Sequence, residues 1–162
     1  MGPIRDLGPC VVEFNNVDLG ATFGGVTFKY TEEGKDVQED QKGVTPVDNI
    51  RVGVSLCEVE AVLTRTSLAI LATIIGGSSY SGTGLNVNNQ VGVSAYENAQ
   101  ALILKPIVDN DEGDEDTWLT LSKAYPIVDL EVVFNNEGQR VYKVTFKCFP
   151  NATSGLIWKI GG

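Results

Sequence analysis

The chain contains no histidine. That removes Ser-His-Asp and Cys-His catalysis and the imidazole metal ligand. Cysteine is scarce: Cys10, Cys57 and Cys148 lie far apart with no CxxC pair, so neither a zinc site nor a thioredoxin-like centre is expected. Basic residues are outnumbered, 12 against 21 acidic, for a formal net charge of −9. A conventional nucleic-acid binder needs the opposite balance. No apolar run approaches the ~20 residues of a membrane-spanning helix; the longest runs from Leu68 to Ile75, and no membrane insertion is expected. The opening Met1-Gly2-Pro3-Ile4-Arg5-Asp6 has no apolar h-region, and Asp6 stands where a myristoylation motif places Ser or Thr. Neither a secretory leader nor a lipid anchor is therefore expected.

What remains is an ordinary globular composition: 162 residues, 43% hydrophobic and 20% charged. This fits one domain over 1–162, large enough to fold without a metal or disulfide staple. The three cysteines read as reduced thiols packed as small hydrophobes, with an intermolecular disulfide through Cys10 as the alternative.

Strand signals dominate. Val11 to Phe14 and the alternating Val26-Thr27-Phe28-Lys29-Tyr30 are read as a hairpin with a long, turn-rich connection. Residues 31–48 hold six carboxylates and two lysines with no amphipathic period, and are read as a long projecting loop. Ile50, Val52, Val54 and Leu56 begin a strand running on to Val62. Its apolar phase slips at Val59 and Ala61, which predicts a bulge near Cys57. Residues 64–77 give the one good helix, capped by Thr64 or Thr66 and ended by Gly76. Leu68, Leu71, Ala72 and Ile75 share its apolar face. Residues 76–94 are Gly/Ser/Asn-rich and uncharged, an irregular excursion. Strands resume at Ala101 to Val108 and at Thr117 to Leu121, and the chain closes with a hairpin. Parity there favours a three-residue loop at 136–138, with Gly138 left-handed in a G1 bulge. Leu130 then faces Val144, Val128 faces Phe146, Val132 faces Tyr142, and Glu131 faces Lys143. The fold class is mainly β: a β-sandwich or barrel-like protomer with one flanking α-helix.

Candidate chemistry is thin. Residues 109–116 hold six carboxylates in eight positions, but counting from Asp109 puts Gly113 fifth and Asp114 sixth, which breaks the EF-hand pattern. A solvated loop is the simpler reading, and no cofactor or metal is expected. Glu58 with Glu60, and Asp129 with Glu131, are carboxylate pairs at i, i+2, each on one strand face. Their spacing of about 7 Å suits a glycosidase, but aromatics make up only 8% of the chain. A wet polar sheet face is the simpler reading. Asn151-Ala152-Thr153 matches a glycosylation acceptor by chance, and Trp118 and Trp158 read as packing residues rather than ligand platforms. The chain is not expected to be an enzyme.

Three stretches taken in order carry a resemblance: Leu19-Gly20-Ala21-Thr22-Phe23-Gly24-Gly25-Val26-Thr27-Phe28, then Asp40-Gln41-Lys42-Gly43-Val44-Thr45-Pro46-Val47-Asp48, then the strand Ile50 to Val62 running into a helix. Together they resemble phage major tail tube proteins over about a quarter of the chain. The resemblance implies protomers that form hexameric rings and stack into a hollow tube in the virion tail, after synthesis in the host cytoplasm. The inner sheets join into a continuous lumen β-barrel through which DNA passes without specific binding. Further implied partners are the tape measure protein and, in some tails, a sheath. The long loop is the family's inter-ring contact, which here means Glu32, Glu33, Lys35, Asp36, Glu39, Asp40 and Lys42. Glu58, Glu60, Asp129 and Glu131 are the lumen candidates on polar strand faces. Six copies would carry about −54, and like charge favours sliding of DNA over sticking. The competing readings are a tube component of a related secretion or baseplate apparatus, and a ligand- or carbohydrate-binding β-sandwich module.

Overall fold

Alternating apolar side chains make strands of most of the chain, and the computed structural model describes residues 9–64, 67–107, 115–131 and 141–161. The elements in order are β1 (Cys10–Phe14), β2 (Val17–Asp18), β3 (Thr22–Gln38), β4 (Pro46–Leu63), α1 (Leu68–Ile74), β5 (Ser78–Tyr80) and β6 (Leu85–Val87). These are followed by β7 (Gln100–Pro106), β8 (Leu119–Glu131), β9 (Val141–Phe149) and β10 (Trp158–Ile160). Eight strands form one antiparallel sheet in the order β2-β1-β7-β8-β9-β4-β3, with β10 added beside β8; β5 and β6 form a separate hairpin. Among the described residues the end strands β2 and β3 do not pair with one another, so the described sheet is not a closed barrel.

The sheet turns a corner inside β8. Gln100 faces Ala124 and Leu102 faces Leu121, so β8 carries one extra residue at Ser122–Lys123. Such a bulge bends a strand. Before it, β8 lies between β7 and β10; after it, β9 takes over the β10 side, starting at Lys123 opposite Phe149. The two halves then share one core. Val12, Phe14, Leu102, Leu104 and Leu121 come from the first half, and Val59, Leu63, Val144 and Phe146 from the second. Phe14 and Phe146 meet across it with ring centroids 5.3 Å apart.

Several sequence expectations need correction. Val11–Phe14 and Val26–Tyr30 are not a hairpin: β1 turns at Asn15 and Asn16 (φ 50° and 64°) into β2 and pairs with β7, while among the described residues β3 pairs only with β4. Residues 31–48, expected as a long projecting loop, are mostly strand: β3 runs on to Gln38 and β4 begins at Pro46 around a short 3-10 turn, Asp40–Lys42. The bulge expected near Cys57 is present, two residues before it: Thr31 faces Leu56 but Glu32 faces Val54, leaving Ser55 as the extra residue, and a second slip leaves out Val52. Helix α1 is shorter than expected. Its cap is Ser67, whose hydroxyl accepts from the Ile70 amide at 3.3 Å, and its buried residues are Leu71 and Ile74. Thr64 is buried at the end of β4, Leu68 is 44% exposed, and Thr66 lies outside the described residues.

Thr117–Leu121 and the first half of the closing hairpin are one strand, β8, running through Pro126. Its partner β7 ends opposite Ala124, so Pro126 stands where one side of β8 has no ladder, the position in which a missing amide is tolerated. The closing hairpin has the expected face parity but a register two residues away from the three-residue-loop prediction. Val128 faces Val144, Leu130 faces Tyr142, and Asp129, not Glu131, faces Lys143. Val132, the 136–138 loop and Gly138 lie outside the described residues. The excursion at 76–94 contains one element of regular structure, the β5–β6 hairpin.

Candidate functional site

The second half of the sheet, β8-β9-β4-β3, has one face in the core and one in solvent. Strand alternation puts Val59, Ala61, Val144 and Phe146 inside and their neighbours outside. The register then sets the outward residues in rows. One row is Thr27, Glu60, Thr145 and Ile127; the next is Lys29, Glu58, Lys147 and Tyr125; a third has Val62, Lys143 and Asp129. All four lumen candidates therefore lie on one polar face, with Glu58 and Glu60 on β4, Asp129 and Glu131 on β8, and β9 between them.

The face is not uniformly negative. Lys147 and Lys29 each stand opposite Glu58, Lys143 stands opposite Asp129, and Lys29 also reaches Glu60 at 3.4 Å. Cross-strand pairs of opposite charge stabilise a sheet modestly. They also leave these lysines already facing carboxylates, so the face offers a balanced, hydrated surface. The surplus negative charge of the chain is carried instead by 109–116 and by residues 31–48.

Both long borders of this half-sheet are open among the described residues. β3 is paired on one side only, along all its length. β8 has only β9 from Tyr125 to Glu131, and Ile127 and Leu130 there are 46% and 48% exposed. Unpaired strand borders present rows of N–H and C=O groups to any chain that can continue the ladder.

Beyond Tyr30 and Cys57 the β3–β4 hairpin leaves the core and becomes an arm. Ile50, Val52 and Val44 are exposed along it. Glu32, Glu33, Lys35 and Asp36 stand on its β3 side, and Asp40 and Lys42 in the turn at its tip, with Glu39 just before. A polar cluster marks its base. The Tyr30 hydroxyl donates to Glu32 at 2.7 Å and accepts from Arg51 at 3.0 Å, and Arg51 pairs with Glu32 at 2.9 Å. The Glu32 carboxylate holds the Tyr30 phenol above its ordinary range, with Arg51 acting in the opposite sense. Further out, the Asn49 amide donates to Asp36 at 2.6 Å, and the Gln38 amide to the Val44 carbonyl at 3.0 Å. A two-stranded ribbon with no core face is marginal alone in water, so an arm of this kind gains its stability from whatever covers it.

The motif Phe23-Gly24-Gly25 sits where β3 enters the sheet. Three residues of β3, Phe23 to Gly25, are accommodated between Thr22 opposite Leu63 and Val26 opposite Ala61, with φ of 80° and 88° at Gly24 and Gly25. Left-handed backbone at both positions is the physical reason for the glycine pair.

Elsewhere a cavity of about 550 Å³ lies between the end of α1, residues 88–98 and β8. Asn88, Gln90, Asn98, Gln100 and Tyr125 line it, a neutral set with no carboxylate or thiol to act as base or nucleophile at ordinary pH. No group of three or more metal-ligating side chains occurs among the described residues, and no helix among them is long and apolar enough to cross a membrane. Trp158 packs edge-on against Phe28 and Tyr30, with centroids at 5.6 and 5.4 Å. Trp118 lies under the Lys105 ammonium, 4.3 Å from the ring centre. Asn151 accepts from the Thr153 and Ser154 amides in a tight turn. No protein-family model matches the chain, and no curated protein matches it either.

Proposed function

We propose that the chain is a structural subunit that polymerises with copies of itself into a hollow tube of the phage tail type. The observation carrying this reading is the β8-β9-β4-β3 half-sheet, which has a hydrated outer face and an open strand border on each side. A sheet with two complementary open edges is completed by identical neighbours on both sides. A rotation that closes gives a ring, and the polar face then lines the bore. Lys–Glu and Lys–Asp pairing across that face suits a wall past which a polyanion slides, since the lysines already face carboxylates. The arm reaches the next ring, with Glu32, Glu33, Lys35, Asp36, Glu39, Asp40 and Lys42 as its contact residues and Ile50 and Val52 as apolar area to cover. On this reading the chain is not an enzyme. It has a hexameric ring as its unit, encloses a tape measure protein before DNA, meets a sheath where the tail has one, and resides in the virion.

The test excises the arm at a matched rung. Thr31 faces Leu56 on the last rung before the Ser55 bulge, so replacing residues 32–55 with Asn-Gly keeps the remaining β3–β4 register. Sedimentation velocity of the full chain is expected to give rings or longer stacks, and the excised chain is expected to stay folded but fail to stack. Full-length chain that remains monomeric at high concentration rejects the tube. Stacks of normal length from the excised chain reject the role of the arm.

A further inference from the structure

Two of the three cysteines meet at the base of the arm. Glu58 faces Lys147 and Val59 faces Phe146, so the next rung sets Cys57 directly opposite Cys148 on the adjoining strand. Directly opposed residues on antiparallel strands bring their Cβ atoms to roughly 4.5–5.5 Å. A disulfide needs Cα atoms about 4.4–6.8 Å apart and Cβ atoms near 4 Å, so little backbone movement separates the two states. Both thiols are free here, both are half-buried against the core, and they lie within hydrogen-bonding reach of each other. A cavity of about 290 Å³ opens onto the pair beside Val54, Leu56, Pro150 and Ile157, which gives a small oxidant a route in.

We infer that Cys57 and Cys148 are a dithiol that small-molecule oxidants convert to an intrachain cross-strand disulfide, fastening the root of the arm to β9. The Cys148 thiol donates to the Phe146 carbonyl at 3.7 Å, and its closeness to Cys57 favours the Cys57 thiolate, holding Cys57 below, and Cys148 above, the ordinary thiol range. The attack is assigned to Cys57, the sulfur held lower of the two. With a peroxide, the Cys57 thiolate takes one oxygen to give a sulfenic acid, and the other peroxide oxygen leaves as hydroxide, protonated to water. Cys148 then attacks the Cys57 sulfur, the S–S bond forms and a second water leaves. Two thiols lose two electrons and two protons, and the peroxide is reduced to two waters. Oxidised glutathione gives the same product by thiol–disulfide exchange, releasing two glutathione thiols. The bond joins the strand that emerges from the arm to a core strand. It therefore constrains the arm's root in a chain that leaves a reducing compartment. Cys10, at the start of β1, is raised by burial and has no such partner opposite it, since it faces Pro106.

The experiment treats reduced full-length protein with hydrogen peroxide and, separately, with oxidised glutathione, then alkylates it under denaturing conditions and maps the peptides. The expected result is loss of two alkylation sites, a Cys57–Cys148 linked peptide lighter by two hydrogens, and Cys10 still alkylated. The oxidised chain is also expected to melt several degrees higher than the reduced chain, a difference erased by dithiothreitol. Cys57→Ser and Cys148→Ser are each expected to abolish the linked peptide. Glutathione left singly on either cysteine, a linkage through Cys10 or between chains, or full alkylation of both cysteines in folded protein would each overturn the inference. The wild-type map decides the matter even if a serine variant does not fold.

Discussion

The Phe14–Phe146 contact joins the two halves of the sheet, and a double-mutant cycle on it measures whether they share one core. Phe146 is wholly buried and Phe14 is 3% exposed, with ring centroids 5.3 Å apart. Truncating a buried phenylalanine to alanine costs about 3–5 kcal/mol through lost burial and the cavity left behind. For a chain of this size each kilocalorie lowers Tm by roughly 2–4 °C, so Phe146→Ala should melt on the order of 10 °C below the parent. An aromatic pair adds about 0.5–1.5 kcal/mol beyond its area. Phe14→Ala with Phe146→Ala together should therefore cost less than the sum of the single changes by that amount. Urea unfolding monitored by tryptophan fluorescence gives all three values, provided the slope of the transition stays constant. Additivity within ~0.4 kcal/mol would show that the rings do not meet, and the account of a sheet folded over at Ser122–Lys123 would fall with it.

Three further outcomes follow from the same structure. The Lys105 ammonium and Glu13 carboxylate lie 2.6 Å apart at 10% and 20% side-chain exposure. Lys105→Met should cost about 2–4 kcal/mol in urea unfolding by leaving a desolvated carboxylate, and adding Glu13→Gln should recover part of the loss. Gly24→Ala meets no atom within 4 Å of the new Cβ but keeps a φ of 80°, so it should destabilise by about 1–2 kcal/mol through backbone strain alone; a neutral result would mean that the entry to β3 is not left-handed in solution. Because Cys57 is held below the ordinary thiol range, a larger share of it is thiolate at neutral pH than of Cys148. Limited iodoacetamide labelling of native protein should therefore modify Cys57 first; labelling of Cys148 ahead of Cys57 would reverse that assignment.

Face assignments were legible wherever one side of a strand meets the core. Val144 and Phe146 against Lys143 and Lys147 show which way β9 faces, and Val59 and Ala61 do the same for β4. Parity fixes a face but not a register: a two-residue slip leaves every side chain on its own face, which is why Asp129 and not Glu131 opposes Lys143. The arm was unreadable for the opposite reason. From Thr31 to Gln38 neither side of β3 meets the core, so charge falls on both phases and the segment has no apolar period to mark it as a strand. The helix was overlong because the apolar run Leu68 to Ile75 hides its start. Ser67 was the signal missed, a cap residue immediately before that run. The i, i+2 spacing put Glu58 with Glu60 and Asp129 with Glu131 on polar strand faces, and the closing hairpin put Lys143 beside β8, but bringing the two carboxylate pairs to one face with lysines between them depends on β9 pairing also with β4, a long-range choice that local sequence does not encode. The Cys57–Cys148 rung was hidden by the same choice.

The central claim is that the open border of β3 in one copy is completed by the open border of β8 in the next. An electron cryomicroscopy map of the particles that the full-length chain forms at high concentration tests it most directly. The account predicts a ring or tube of uniform bore, in which the backbone of β3 hydrogen-bonds to Tyr125–Glu131 of a neighbour and Glu58, Glu60, Lys143 and Lys147 face the channel. Particles in which those two borders lie in solvent, or a sample that stays monomeric throughout, would contradict it.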